Sequence, residues 1–394
     1  MENVSYKKEN EVLTIRLSGH IDSANASAAE EAITAAREDA PSDHVVVDCE
    51  KLTYVSSAGL RVILRLKKAV PNTELINVSS EVYEIFEMTG FTEMMSIQKA
   101  YRKISVKGCE VIGQGANGKV YRIDRDTIVK VYLNPDSLPE IHRERELART
   151  AFVLGVPTAI PYDVVRIEGG GYGSVFELLN AKSFAQLLRA GQMSVDEVAK
   201  RSIELLKIIH GTVVKPGSMP DMKAIALNWA EYLKDHLPAD QYQKLHALIE
   251  EVPEDNHMLH GDYHMKNVML QNGESLLIDM DTLCHGHPIF EFASMYNAYV
   301  GFRELERNKE ESFMGVPFET SRALWKACLH DYFEGRSEQE IRAIEEKAQI
   351  IGYTRIMRRR LRRDGYSTAA GRAEIENCAR HLAELLPKTD TLLF

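Results

Sequence analysis

At 394 residues the chain has room for two or three domains, and 44% hydrophobic with 27% charged residues is the balance of a globular, soluble protein. A formal net charge of -10 argues against a nucleic-acid partner. There is no run of 18 apolar residues, MENVSYKKENE holds no apolar signal segment, and the cysteines at 49, 109, 284, 328 and 378 form neither a disulfide framework nor a CxxC pair; a cytoplasmic protein without membrane insertion is expected.

Residues 12–17 alternate apolar and polar and predict a strand. Residues 25–37, alanine-rich with acids midway, predict a helix. Short apolar runs at 44–47, 53–55 and 74–78 read as strand segments. Apolar side chains at 60, 62, 63, 66 and 70 form a helical stripe, and 81–88 is a short helix closed by Gly90. Alternating strands and helices make residues 1–98 a small α/β unit. Ser56 and Ser57 stand between a strand and a helix. A hydroxyl there can cap the helix by accepting a backbone N–H. Alternatively, phosphate on such a serine adds charge beside free helix N-terminal donors and acts as a switch.

Three stretches of this unit carry a resemblance: GHID at 19–22, DCEKLTYVSSAGLRVILRLKKAV at 48–70 and EVYEIFEMTGF at 81–91. Together they resemble a STAS domain of the anti-sigma-factor-antagonist type. The resemblance implies a compact sheet backed by helices that docks a protein partner and does no chemistry itself. It also makes Ser57, two residues before the loop glycine, the phosphorylation site. Many members carry an aspartate just before that serine. Ser56 stands there instead, which removes a charge and departs from the usual sigma-factor partner switch.

Residues 99–107 form a junction without a proline- or glycine-rich linker. GQGANG at 113–118 then places Gly113, Gly115 and Gly118 in a GxGxxG pattern that several unrelated folds use. A dinucleotide-binding fold requires a helix next, and a Walker A loop requires Ser or Thr where Val120 stands. KVYRI instead reads as a second strand, so the glycines lie in a hairpin. TIVKVY at 127–132 carries Lys130 in a further strand. A glycine hairpin followed by a strand lysine is the kinase arrangement: backbone amides approach phosphates where no Cβ intervenes, and Lys130 contacts them. A buried lysine needs a carboxylate. The helix predicted over 138–154 offers Glu140, Glu144 and Glu146, of which Glu144 is favoured. Strands at 164–167 and 172–178 precede a hinge at 177–181. Helices follow at 184–188, 195–209, 227–237, 242–249, 290–300, 322–332, 339–357 and 369–386. The expected second domain, 108–394, is thus two-lobed and α+β, with a β-rich lobe at about 108–178 and a helical lobe at about 183–394.

The run HGDYHMKNVMLQNGESLLIDMD, 260–281, carries the chemistry. A proton acceptor, an amide oxygen and a carboxylate around one cluster are what phosphoryl transfer needs. Asp262 would orient the attacking hydroxyl, and Asn267 with Asp279 would hold a divalent metal. His264 reads as a loop-stabilising histidine, and Asp281 as a metal contact or an exposed acid. The order glycine hairpin, Lys130, Glu144, HGDYHMKN, IDMD resembles the aminoglycoside/choline kinase branch of phosphotransferases, in which HGD and DMD stand where protein kinases show HRD and DFG. That resemblance implies ATP and Mg2+ as cofactors, Asp262 as catalytic base and Lys130 on the nucleotide. In PIFEFA, 288–293, Glu291 replaces the family's aspartate and would tie down the loop. No APE-like peptide-positioning segment is present, which favours a small-molecule hydroxyl acceptor under STAS regulation. Two other classes stay open: a signalling protein whose kinase lobe phosphorylates Ser57 or a partner, and a non-catalytic interaction module. Arg355, Arg358, Arg359, Arg360, Arg362 and Arg363 cluster at a helix end, where cations suit the helix dipole. Docking to an acidic partner is the rival reading, and residues 1–98 hold 16 acidic against 9 basic residues.

Overall fold

The computed structural model describes residues 3–115, 118–307 and 313–394. Its contacts divide into two compact units, Met1–Ser105 and Val106–Phe394.

The first unit opens with antiparallel strands β1 (Val4–Glu9) and β2 (Val12–Ile21), then alternates α1 (Ala26–Asp39), β3 (His44–Val55), α2 (Ser57–Ala69), β4 (Asn72–Val78), α3 (Ser80–Met88), α4 (Phe91–Met94) and β5 (Ile97–Lys99). A short strand β6 (Arg102–Ile104) ends it. The sheet order is β1-β2-β3-β4-β5. From β2 to β5 all pairs are parallel, because each return is made by a helical crossover. Leu13 and Ile15 alternate into the core opposite Val45 and Val47, and Leu17 and Cys49 are buried with them. The expected segments at 44–47 and 53–55 are one continuous strand. Its pairing with β2 shifts register twice, so apolar alternation fails in between and the strand reads as two. The edge strands β1 and β5 escaped prediction because they bury almost nothing.

Between β3 and α2 the two serines divide the roles. Ser56 caps α2, accepting the Ala58 N–H at 3.2 Å, while Ser57 is exposed at the first helical position. Gly59 is needed for close approach: a Cβ there would sit 2.7 Å from Val55 Cγ2 and 2.8 Å from the Ile21 carbonyl. Gly59→Ala is expected to destabilise this unit by roughly 1–3 kcal/mol through overpacking, read as an earlier urea midpoint of its own unfolding transition.

In the second unit, strands β7 (Glu110–Gln114), β8 (Gly118–Arg122), β9 (Thr127–Tyr132), β10 (Pro161–Ile167) and β11 (Tyr172–Glu177) pair antiparallel in the order β10-β11-β9-β8-β7. Helix α5 (Leu138–Val153) lies between β9 and β10 in the chain. Beyond β12 (Lys182–Ser183) come α6 (Phe184–Arg189), α7 (Val195–Gly211), α8 (Met222–Glu231) and α9 (Ala239–Glu250). The site segment follows as β13 (Met258–Leu259), β14 (Val268–Gln271), β15 (Glu274–Leu277) and β16 (Cys284–His285). Helices α10 (Ile289–Tyr299), α11 (Phe318–Tyr332), α12 (Glu338–Arg363) and α13 (Ala369–Leu385) close the chain. Helix α8 starts five residues before the expected 227, because Asp221 accepts the Lys223 N–H at 2.8 Å and sets its N-terminus there. Serines with Gln or Glu three residues on form capping boxes at Ser183, Ser194 and Ser337. Helix α10 is buried along its whole length and is the spine of the helical lobe. Among the described residues no helix is long and apolar enough to cross a membrane.

Candidate active site

The loop between β13 and β14 holds His260, Gly261 and Asp262, and the surroundings answer its backbone groups nearly one by one. Glu291, fully buried on α10, accepts the His260 N–H at 2.5 Å and the Gly261 N–H at 3.1 Å. Thr282 Oγ1 donates to the His260 carbonyl at 2.8 Å. Ser294 Oγ and Arg355 Nη1 donate to the Gly261 carbonyl at 2.9 and 3.1 Å. Asn267 Nδ2 donates to the Asp262 carbonyl at 3.1 Å. Gly261 has φ +80, and a Cβ there would meet the Thr282 carbonyl at 2.5 Å, so no other residue fits. The Asp262 carboxylate is the loop's half-exposed product, with His264 Nε2 at 3.5 Å and Arg355 Nη2 at 3.8 Å. His264 itself is buried edge-on to Phe313.

Lys130 is held from two sides. Its Nζ lies 2.9 Å from Glu144 Oε1 on α5 and 2.9 Å from Asp279 Oδ1 after β15. Tyr132, two residues on along the same face of β9, donates its hydroxyl to the other Glu144 oxygen. Glu140 and Glu146 make no such contact with Lys130 among the described residues. Asp279 has left-handed backbone, φ 64, which turns the chain out of β15 and presents its carboxylate to Lys130.

Asn267 is brought to Asp279 by the backbone, since its carbonyl accepts the Ile278 N–H at 2.9 Å. With Nδ2 used on the Asp262 carbonyl, Oδ1 accepts no hydrogen bond among the described residues. An amide oxygen and a carboxylate at adjacent positions are hard oxygen donors, the set that suits Mg2+ completed by phosphate and water. Among the described residues no group of three His, Cys, Asp or Glu makes a self-sufficient metal cage. The residues therefore fit a metal shared with a phosphate ligand.

The glycine hairpin closes where the Gly115 N–H donates to the Gly118 carbonyl at 3.0 Å. Ala116 and Asn117 of the GQGANG run lie outside the described residues. The three glycines differ in their reasons. A Cβ on Gly118 would come within 2.4 Å of the Val131 carbonyl, so this glycine is demanded by the sheet. A Cβ on Gly113 would merely touch Val120, and one on Gly115 would meet nothing within 4 Å among the described residues.

Electrostatics separate the acids. Burial raises the Asp262 pKa, but His264, then Arg355 and His260, outweigh it and hold the carboxyl at about 2. Asp262 is therefore ionised at neutral pH, and it contributes stability that is present above its ordinary 3.8 and lost as pH falls through about 2. Burial and then Asp279 push Asp281 up to about 6, against the pull of Lys130. Burial alone would lower Lys130, yet Asp279, Glu144 and Asp281 raise it, so the ammonium stays charged. Burial works against ionised Glu291 as well. His210, with Nε2 3.9 Å away, and the His260 N–H keep it below the usual glutamate value.

Residues 108–312 match the phosphotransferase enzyme family, just over half of the chain. The chain belongs to that family. Residues 3–104 match the STAS domain. Within that domain, 85 residues are 38% identical to a protein of Bordetella bronchiseptica named as an anti-sigma factor antagonist, BtrV, covering 72% of that protein and 21% of this chain. A thermostable mutant of aminoglycoside phosphotransferase APH(4)-Ia, in ternary complex with ADP and hygromycin B, aligns at a TM-score of 0.50 and 13% identity, covering 78% of this chain and 98% of that one. A choline/ethanolamine kinase family protein from Mesorhizobium loti aligns at 0.45 and 16%, covering 72% and 89%. The first likeness speaks to the fold alone.

In this phosphotransferase-family chain the sequence reading missed Tyr132, Thr282, Ser294 and His210 as site supports. Two had a usable signal: Tyr132 shares a strand face with Lys130, and Ser294 sits three residues after Glu291 on one helix face. Two outcomes are expected. Glu291→Ala leaves two buried N–H groups unpaired and destabilises on the order of 3 kcal/mol, measured by urea unfolding. Gly118→Ala lowers the thermal midpoint by several degrees through its backbone clash, whereas Gly115→Ala leaves it within about one degree.

Proposed function

We propose that the second unit transfers the γ-phosphoryl group of ATP to a hydroxyl of a small molecule, with the STAS domain as its regulatory, partner-docking part. The observation that supports this best is Lys130 bridging Glu144 and Asp279 at 2.9 Å each, while the Asp262 loop is tied through Asn267 to the residue before Asp279. Nucleotide-binding chemistry and hydroxyl-orienting chemistry thus share one cleft.

Lys130, kept charged and aimed by Glu144, binds the donor phosphates. The open backbone at Gly115 lets the hairpin approach them. Backbone groups of the 177–181 hinge suit a purine edge. Asp262 accepts a hydrogen bond from the acceptor hydroxyl and sets its oxygen in line with the γ-phosphorus. The new oxygen–phosphorus bond forms as the bond from that phosphorus to the β–γ bridging oxygen breaks. ADP leaves with the electron pair, and the hydroxyl proton passes to Asp262. A carboxyl held at about 2 takes that proton late, so orientation supplies more than basicity. Asn267 and Asp279 would hold Mg2+, which when bound supplies neutralising charge to the triphosphate.

ADP release and intact mass, measured with ATP, Mg2+ and a panel of hydroxyl acceptors, test the reading. Asp262→Asn is expected to lower kcat by about 10^2- to 10^4-fold with the KM for ATP little changed. Residual turnover near wild type in this variant would remove Asp262 from its role. No ADP with any acceptor, from a folded protein, would leave the non-catalytic reading standing.

One observation favours a second role in the first unit. Ser57 is exposed and Ser56, not Ser57, makes the α2 cap, so the Ser57 hydroxyl is available to a kinase. Labelled ATP with the purified chain, wild type and Ser57→Ala, reads whether this protein or an added upstream kinase modifies it. Equal labelling of both would exclude Ser57.

A further inference from the structure

Helix α12 carries a row of arginines that begins at the reacting carboxylate. Arg355, Arg358, Arg359 and Arg362 lie three, four and seven residues apart, which is one helical face. Arg355 marks the junction, with Nη2 3.8 Å from Asp262 Oδ1 and Nη1 on the Gly261 carbonyl. At ~1.5 Å per residue, the backbones of Arg358 and Arg362 follow ~5 and ~10 Å further along.

This row differs from a solvated helix end. Its guanidinium groups lie over aromatic rings: Arg355 over Trp229 at 5.4 Å, Arg358 over Tyr232 at 5.3 Å and Arg359 over Phe302 at 4.7 Å. Rings hold the planar groups in place while leaving their N–H edges for a ligand. Arg358 Nε is buried and has no hydrogen-bond partner among the described residues, a state that carries a desolvation penalty until an acceptor arrives. No carboxylate forms an ion pair with Arg358, Arg359 or Arg362 among the described residues. Arg360, on another face of the same helix, is answered by both Glu374 and Asp364. Burial first, and then Arg362 and Arg355, pull the Arg358 pKa down, the mark of a cation among cations. The acids of the cleft, by contrast, already have cationic partners: Asp262 has Arg355 and Asp279 has Lys130.

A positively charged acceptor, such as an amino sugar or amino alcohol, would add charge to this row. We infer that the phosphoryl acceptor is an anionic hydroxy compound. Its hydroxyl meets Asp262, and a phosphate or carboxylate roughly 5–10 Å away is gripped by Arg358 and Arg362. The inference rests on the kinase reading of the same cleft and names its substrate class. The transfer is the one already balanced above, with the acceptor's anion a spectator that orients the hydroxyl.

The test uses the full chain with ATP and Mg2+, reading ADP release and acceptor mass. The acceptors are glucose 6-phosphate, glucuronate and glycerate against glucose and glycerol, and against choline and kanamycin. At least one anionic acceptor is expected to exceed its neutral counterpart by about 100-fold in kcat/KM, and glucose 6-phosphate against glucuronate separates phosphate from carboxylate. Arg358→Gln and Arg362→Gln should each raise the KM for that acceptor about tenfold while kcat stays within about threefold. Arg362 is exposed, so its variant carries the test if Arg358→Gln does not fold. Preference for choline, kanamycin or the neutral acceptors would overturn the inference and leave the kinase reading intact. An anionic preference with unchanged KM in both variants would also overturn it. Phosphate found only on protein, or no ADP with any acceptor, would take down the small-molecule reading and the inference together.

Discussion

A single buried carboxylate holds the arrangement together. Glu291 sits at the centre of the helical lobe with no exposure and spends both oxygens on the backbone of His260 and Gly261. An ionised group in such a place needs hydrogen-bond donors. The two N–H groups supply them, and the nearby His210, with Nε2 3.9 Å away, further favours the charged form. Thr282, Ser294, Arg355 and Asn267 complete the loop's hydrogen bonding from the carbonyl side. Asp262 is thus anchored through the backbone around it while 38% of its side chain stays exposed.

The cleft works by pairing unlike charges from distant parts of the chain. Asp279 and Glu144 together keep Lys130 ionised against its burial, and Tyr132 occupies the spare glutamate oxygen. Asp262 is kept ionised by His264 and Arg355, whereas Asp281, crowded by Asp279 and burial, is drawn toward neutrality. Asp262 and Asp281, two carboxylates of the same segment, thus sit in different electrostatic surroundings.

How much of this could be read beforehand follows sequence distance. Lys130 and Glu144 are one helix apart, and Asp262, Asn267 and Asp279 belong to one short hairpin segment, so spacing and residue type sufficed to group them. The fold class was legible for the same reason, because strand alternation and helical stripes are local. Arg355 was visible only as one of six clustered arginines. Its contact with Asp262 depends on how α12 packs behind α10, which no short-range pattern encodes. The seam in β3 was misread because a register shift breaks the alternation that marks a strand. The start of α8 was missed although Asp221 supplied an ordinary capping signal.

The Lys130–Asp279 contact joins residues 149 positions apart. It ties strand β9 to the turn that follows β15, so the sheet of the second unit and its helical part meet at one ammonium. Glu144 holds the same nitrogen from α5. A change at this single side chain is therefore felt at once in three segments that lie far apart along the chain.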